Sequence, residues 1–278
     1  MTFLRSILAN PGTAIGLAIL AVTALVALLA PVLFPVSPWQ SAGAPLLPPF
    51  VDAAFPLGTD LLGRDIAAGL AYGARVSLLV GLVSTLVSVL LGVSVGSLAG
   101  YHGGYVDDLL MRFTEFFQTI PAFAMAIVLV AIFSPSITSI TLTIAVVSWP
   151  PVARLVRGEF MSLRSREFVQ AAIVIGQSGP RIMVSQILPN ALSPIIVMAS
   201  LMIATAILTE SALSFLGLGD RNMMSWGFMI GAARTMLREA WWMSVFPGLT
   251  ILLTVLAINL IGEGLNDAMN PQLRARRG

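Results

Sequence analysis

Six stretches of this chain, at 13–34, 76–100, 109–133, 137–156, 191–218 and 243–264, are each about 20 apolar residues or longer. A segment of that length crosses the hydrocarbon core of a bilayer as a helix, whereas a spanning strand needs only about ten residues. Inside lipid every backbone N–H and C=O must find an internal partner, so the helix is the form these stretches can take there. The sequence therefore predicts an all-α membrane protein with six transmembrane helices. Composition agrees: 57% of the residues are hydrophobic and 10% charged, against roughly 45–50% and 25% in soluble domains.

An even number of spans puts both termini on one side. If that side is cytoplasmic, ten arginines (5, 112, 154, 157, 164, 166, 181, 274, 276, 277) fall inside and five (64, 75, 221, 234, 238) outside, the direction of the positive-inside bias. The reading is a multi-pass membrane protein with cytoplasmic termini. The first apolar run is too long for a signal-peptide core and reads as a retained anchor. With the external segment that follows, it forms a first unit over 1–72, and the remaining helices form 73–278. Six prolines between Pro35 and Pro56 predict an extended start to that external segment. Thr59 or Asp60 is expected to cap a short surface helix, and Asp60, Arg64 and Asp65 to fold the segment rather than contact a partner. Trp226, Trp241 and Trp242 are expected at headgroup level. The chain has no cysteine and one histidine, His102, so neither a disulfide nor a thiolate metal site is available. The small, dispersed net charge of +2 gives no nucleic-acid footprint.

The residues at 156–190, VRGEFMSLRSREFVQAAIVIGQSGPRIMVSQILPN, form a polar island between two apolar spans. Leu163 and Phe168 flank Arg164, Arg166 and Glu167; Ala171 and Ala172 follow; Gly176, Gly179 and Pro180 supply a stop and a turn. The pattern predicts a helix, a turn and a second helix offered to a soluble partner. Gln170-Ala171-Ala172, Gly176 and Leu188-Pro189 stand at the spacing of the EAA loop of ABC importer permeases: Glu-Ala-Ala, three residues, Gly, nine residues, Ile, one residue, Leu-Pro. PLGTDLLGRD at 56–65, GYHGGYVDDLLMR at 100–112, ALSFLGLG at 212–219 and NLIGEGLNDAMNPQLR near the end extend the resemblance over nearly the whole chain. It points to the C-type permease of the peptide and nickel importer family. Two positions depart from the loop consensus, Gln170 in place of its Glu and Gln186 in place of its Ile. Glu167 still offers a carboxylate one turn earlier on nearly the same face, and is expected to carry the electrostatic part of docking.

The resemblance implies a type I importer permease fold, a MetI-like core of five helices plus the anchor, in a bacterial or archaeal cytoplasmic (inner) membrane. It implies a second permease of related fold, two ATPase subunits and an external solute-binding protein. Arg166, Glu167, Gln170, Ala171, Ala172, Gly176, Leu188 and Pro189 would then form the ATPase-coupling element. No GxxxxGK[ST] loop occurs in the sequence, so no catalytic residue or cofactor is assigned to this chain, and ATP and Mg belong to the ATPase partners. The solute implied is a di- or oligopeptide, with nickel chelates, glutathione or another small solute as alternatives. Outside the loop, Glu210 sits late in an apolar run, a candidate pathway residue with a structural role favoured. Arg112 and Glu115 are spaced for an ion pair. An intramembrane enzyme would need an acid pair or nucleophile–base constellation, and a solitary ion-coupled carrier several midplane charges; the sequence offers neither.

Overall fold

The computed structural model describes residues 10–269; the arginines at 5, 274, 276 and 277, on which part of the orientation argument rests, lie outside them. Asn10 opens the first helix, α1 (Pro11–Leu33), by accepting a hydrogen bond from the Gly12 amide at 3.0 Å. The second, α2 (Ile66–His102), runs 37 residues and crosses position 73 unbroken. Its cap is Asp65, which accepts from the Ala67 amide at 2.9 Å. Burial pushes the Asp65 carboxyl up, opposed by the amides of Ala67 and Ala68.

No separate surface helix is capped by Thr59 or Asp60. Thr59 is instead fully buried: its hydroxyl donates to the Ala44 carbonyl at 2.6 Å and accepts from the Leu47 amide at 2.9 Å. The Asp60 carboxylate accepts from the amides of Leu62 and Arg64, so this acidic turn folds the segment between α1 and α2.

The third apolar stretch is not one straight helix. It divides into α3 (Gly104–Thr119) and α4 (Ala122–Phe133), bent by 82°. Pro121 explains the break: it has no N–H to donate, and it forces Ile120 into an extended conformation, φ −90° and ψ 130°. Next comes α5 (Ile137–Arg164), capped by Ser136 and extending eight residues past the expected span into the polar island. Pro150 and Pro151 lie inside it and leave two carbonyls without amide donors. Just upstream, Ser88 of α2 donates to the Ala145 carbonyl at 3.1 Å.

After α5 the island forms α6 (Glu167–Val174) and a single turn, α7 (Gly179–Ile182). The predicted second helix is not free-standing: through a π-helical turn at Met183–Ile187 it continues into α8 (Leu188–Leu213). Pro189 cannot donate to the Ser185 carbonyl, and the wider turn absorbs that loss. A second π turn, Ser214–Leu218, contains Gly217 at φ 86° and leads to α9 (Trp226–Ala233) and α10 (Trp242–Met269). Among the described residues five helices are long and apolar enough to span a membrane, and the bent pair makes six if counted as one.

Close backbone approach holds the bundle together. Gly92, Gly96 and Gly100, spaced by four on α2, face Val152, Ala153 and Arg157 of α5 with no room for a Cβ. Small residues at that spacing let two membrane helices touch along their backbones, where dispersion replaces the missing hydrophobic drive. Gly16 of α1 likewise lies against the Ala257 carbonyl of α10. Two of the three tryptophans turn into the protein. Trp226 is fully buried and donates to the Leu70 carbonyl at 3.0 Å; Trp242 is buried and donates to the Thr59 carbonyl at 3.1 Å. Only Trp241 of the three is substantially exposed, since the indole N–H of the other two is needed inside.

Candidate functional site: the polar loop between α5 and α8

The loop is built from its backbone outward. Leaving α5, Ser165 is still helical and Arg166 turns extended, which redirects the chain into α6. The Gln170 side chain reaches back to donate to the Arg164 carbonyl at 3.0 Å, satisfying an end carbonyl of α5 that has no helical partner. A glutamate there would present only acceptors to that oxygen.

At the far end of α6, the Gly176 amide donates to the Ile173 carbonyl at 3.0 Å and the Gln177 amide to Ala172 at 3.1 Å. Those two bonds form a Schellman cap, which requires a left-handed residue. Gly176, at φ 81°, supplies it.

One face of α6 belongs to the chain's own core. Val169 and Ala172 are buried with Phe160, Ile182 and Ile187. The small Ala172 therefore lets α6 lie close to its own scaffold, whereas Ala171, one residue before, points outward. Of the two alanines expected in the coupling element, Ala172 packs into the chain's own core and Ala171 is exposed. Outward with it stand Arg166, Glu167 and Gln170, together with Phe168, Ile173, Val174 and Ile175. Val174 is 85% exposed and Ile175 73%, an apolar ridge that no described residue covers. An open cleft of about 800 Å³ beside it is lined by Ser162, Ser165, Arg166, Glu167 and Phe168. Leu188 and Pro189 lie apart from the exposed face, at the start of α8, where Leu188 packs on the core beneath α6.

The loop is anchored to neighbouring helices by charge. Arg157 of α5 grips Asp107 of α3 through two parallel hydrogen bonds, 2.5 and 2.6 Å. Among the described residues this is the one ion pair; the expected Arg112–Glu115 pair does not form. Arg164 lies over the Tyr101 ring, 5.7 Å from its centre. Spacing within a helix pointed to the local pair, but the observed partner lies fifty residues away.

Residues 92–275 match the family described as binding-protein-dependent transport system inner membrane component. The chain belongs to this permease family. It is 40% identical to the dipeptide transport system permease protein DppC of Haemophilus influenzae over 95% of this chain and 92% of that protein. It is 40% identical to the di/tripeptide transport system permease DppC of Pseudomonas aeruginosa over 98% and 92%. Against the oligopeptide permease OppC of Haemophilus influenzae the identity is 38%, over 97% and 88%. A chain of the MetNI methionine ABC transporter, in an inward-facing conformation, superposes with a TM-score of 0.62 at 15% identity, covering 73% of this chain and 97% of that one. That likeness shows the MetI-like permease fold.

Glu210 lies far from this permease loop. From Pro189 to Glu210 α8 rises roughly 30 Å at 1.5 Å per residue. Its side chain is fully buried within this chain, accepting from Ser214 at 2.8 Å and Ser225 at 2.7 Å, with Ser211 at 3.4 Å. Ser225 is also the N-cap of α9, accepting from the Phe228 amide. The carboxylate thus ties the start of α9 to α8. Sequence reading missed Asp107, Val174 and Ile175; an apolar pair beside a glycine stop inside a polar loop was the available signal for the last two.

Proposed function

We propose that this ABC importer permease carries di- or oligopeptides inward as one of two related permease subunits. It receives the solute from an external binding protein, and is driven by two ATPase subunits that hold ATP and Mg. The peptide assignment is supported by relatives named for dipeptides and oligopeptides that align with almost the full chain. Docking of an ATPase subunit on α6 is supported by one observation above all, the uncovered Val174–Ile175 ridge on a helix rigidly capped at Gly176. In this reading α6, Arg5 and the arginines at 274–277 face the cytoplasm, Asp60 and Trp226 belong to the external side, the first unit serves as anchor and the 73–278 core as conduit and transmission part.

Because Val169 and Ala172 are embedded in the core that also holds Phe160 of α5 and Ile187 at the base of α8, a displacement of α6 is passed to two long helices at once. Close-packed interiors transmit such shifts because they compress little. The test is uptake of a labelled dipeptide into proteoliposomes by the co-expressed complex, with single-cysteine labelling at residue 166 to fix the side. Uptake should require ATP and binding protein, and a cysteine at 166 should react only from the cytoplasmic face. Peptide uptake independent of ATP, or labelling of that residue from outside intact cells, would refute the proposal.

A further inference from the structure

At the end of the bundle opposite α6, the first turns of α2 and α5 enclose a groove of about 500 Å³ with the loop before α9. The volume falls within the range of small-molecule sites, about 300–1,000 Å³. Its walls are built, not incidental. The Asp220 carboxylate accepts from the Ile137 amide at the start of α5 and from the Asn222 amide, and so fixes the loop that carries Asn222 and Met223. Trp39 is held from the other side by Arg64, whose guanidinium lies 4.9 Å from its ring centre, and by an edge contact with Phe228. The Tyr72 hydroxyl donates to the Phe34 carbonyl, which leaves its ring to the groove.

Among the residues lining the groove Arg75 alone is charged. It forms no ion pair with any described residue. The Asp220 carboxylate is hydrogen-bonded to two amides, and Asp60 and Asp65 to the amides of their own turns.

We propose that this groove is an entry site for the carboxyl-terminal end of a peptide. The inference rests on the peptide reading above and on the external placement of this end. Arg75 offers a planar fork that matches a carboxylate, and that contact is charge-assisted. Asn222 can both donate to and accept from a peptide bond. Trp39, Val76 and Met223 give apolar walls that accept varied side chains, as a permease serving many peptides requires. A carboxylate flanked by an amide and an apolar side chain is the chemistry that these groups jointly fit.

The chain has no native cysteine, so Leu79→Cys places one thiol in the groove lining. The complete permease–ATPase complex is studied in nanodiscs without binding protein, which removes peptide recognition by that subunit from the readout. A dipeptide should slow maleimide labelling of this thiol, and the same dipeptide with an amidated carboxyl end should not. Adding Arg75→Gln should raise the half-protecting dipeptide concentration about 10- to 100-fold, the worth of a hydrogen bond to a charged group, with Arg75→Lys intermediate.

Equal protection by the amidated peptide, or protection unaffected by Arg75→Gln, would overturn the proposal. So would slowing by phosphatidylglycerol in place of phosphatidylcholine, which would give the anion site to lipid. Labelling that is blocked in the complex but free in the isolated chain would assign the groove to the second permease. The peptide reading fails separately: with binding protein and ATP restored, the parent complex would then take up no dipeptide.

Discussion

Replacing Val174 and Ile175 together by serine removes the apolar ridge without disturbing the chain's own core, because both side chains are already largely exposed, at 85% and 73%. Fully burying a Val or Ile side chain stabilises by about 1.5–3 kcal/mol. Scaled by the exposed fractions, complete cover by an ATPase subunit makes the pair worth about 2–5 kcal/mol of docking, roughly 30-fold to several-thousand-fold in affinity. Glu167 is the competing source of docking energy. It stands exposed on the rim, where an ion pair contributes about 0–1 kcal/mol. The apolar term wins by magnitude, which reverses the weight that the sequence alone placed on Glu167. The assay is ATPase co-purification with the tagged permease, together with ATP hydrolysis stimulated by the binding protein. The double serine variant should lose most of both while Glu167→Gln retains most. Full co-purification with the double variant, or a greater loss with Glu167→Gln, would refute the reasoning.

Glu210→Ala strips the shared acceptor from the Ser214 and Ser225 hydroxyls, and at about 1–3 kcal/mol per buried unsatisfied group should markedly lower the thermal stability of the solubilised protein. Glu210→Gln, which keeps one acceptor, should fall between, and equal melting of all three would show that the serine cage contributes nothing. A methyl at Gly96 meets the Ala153 carbonyl and Val156 of α5, so Gly96→Ala should cost about 1–3 kcal/mol and reduce yield in the membrane. Gly176→Ala meets no atom within 4 Å and carries only the backbone strain of φ 81°, about 1–2 kcal/mol, so it should spare yield and weaken coupling measured as uptake per ATP hydrolysed. Gln170→Glu removes the donor to the Arg164 carbonyl and should speed hydrogen exchange across residues 165–169 by up to about tenfold, a loss near 1 kcal/mol; unchanged exchange would count against that contact.

The sequence by itself determined the elements whose physics is local. Apolar length set the spans, since a helix satisfies its backbone from within and needs only a lipid-compatible surface. The stop at Gly176 was legible because a Schellman cap is made within six residues and asks for one left-handed backbone conformation. Pro121 was equally local, and the bend it imposes on the third stretch follows from rules available in the sequence. The glycines at 92, 96 and 100 announce a close helix contact by their spacing, but not that α5 fills it. Tertiary structure alone decided the rest. Whether Ala171 or Ala172 looks outward depends on where the core of Phe160 and Ile187 lies; whether Trp226 meets lipid or protein depends on a carbonyl at Leu70, 156 residues away. Glu210 gains its role from Ser225 across a turn, and Arg157 its partner from a different helix. Backbone hydrogen bonds in a helix close over four residues and are written into short stretches, whereas burial and ion pairing belong to surfaces that meet only after the helices pack.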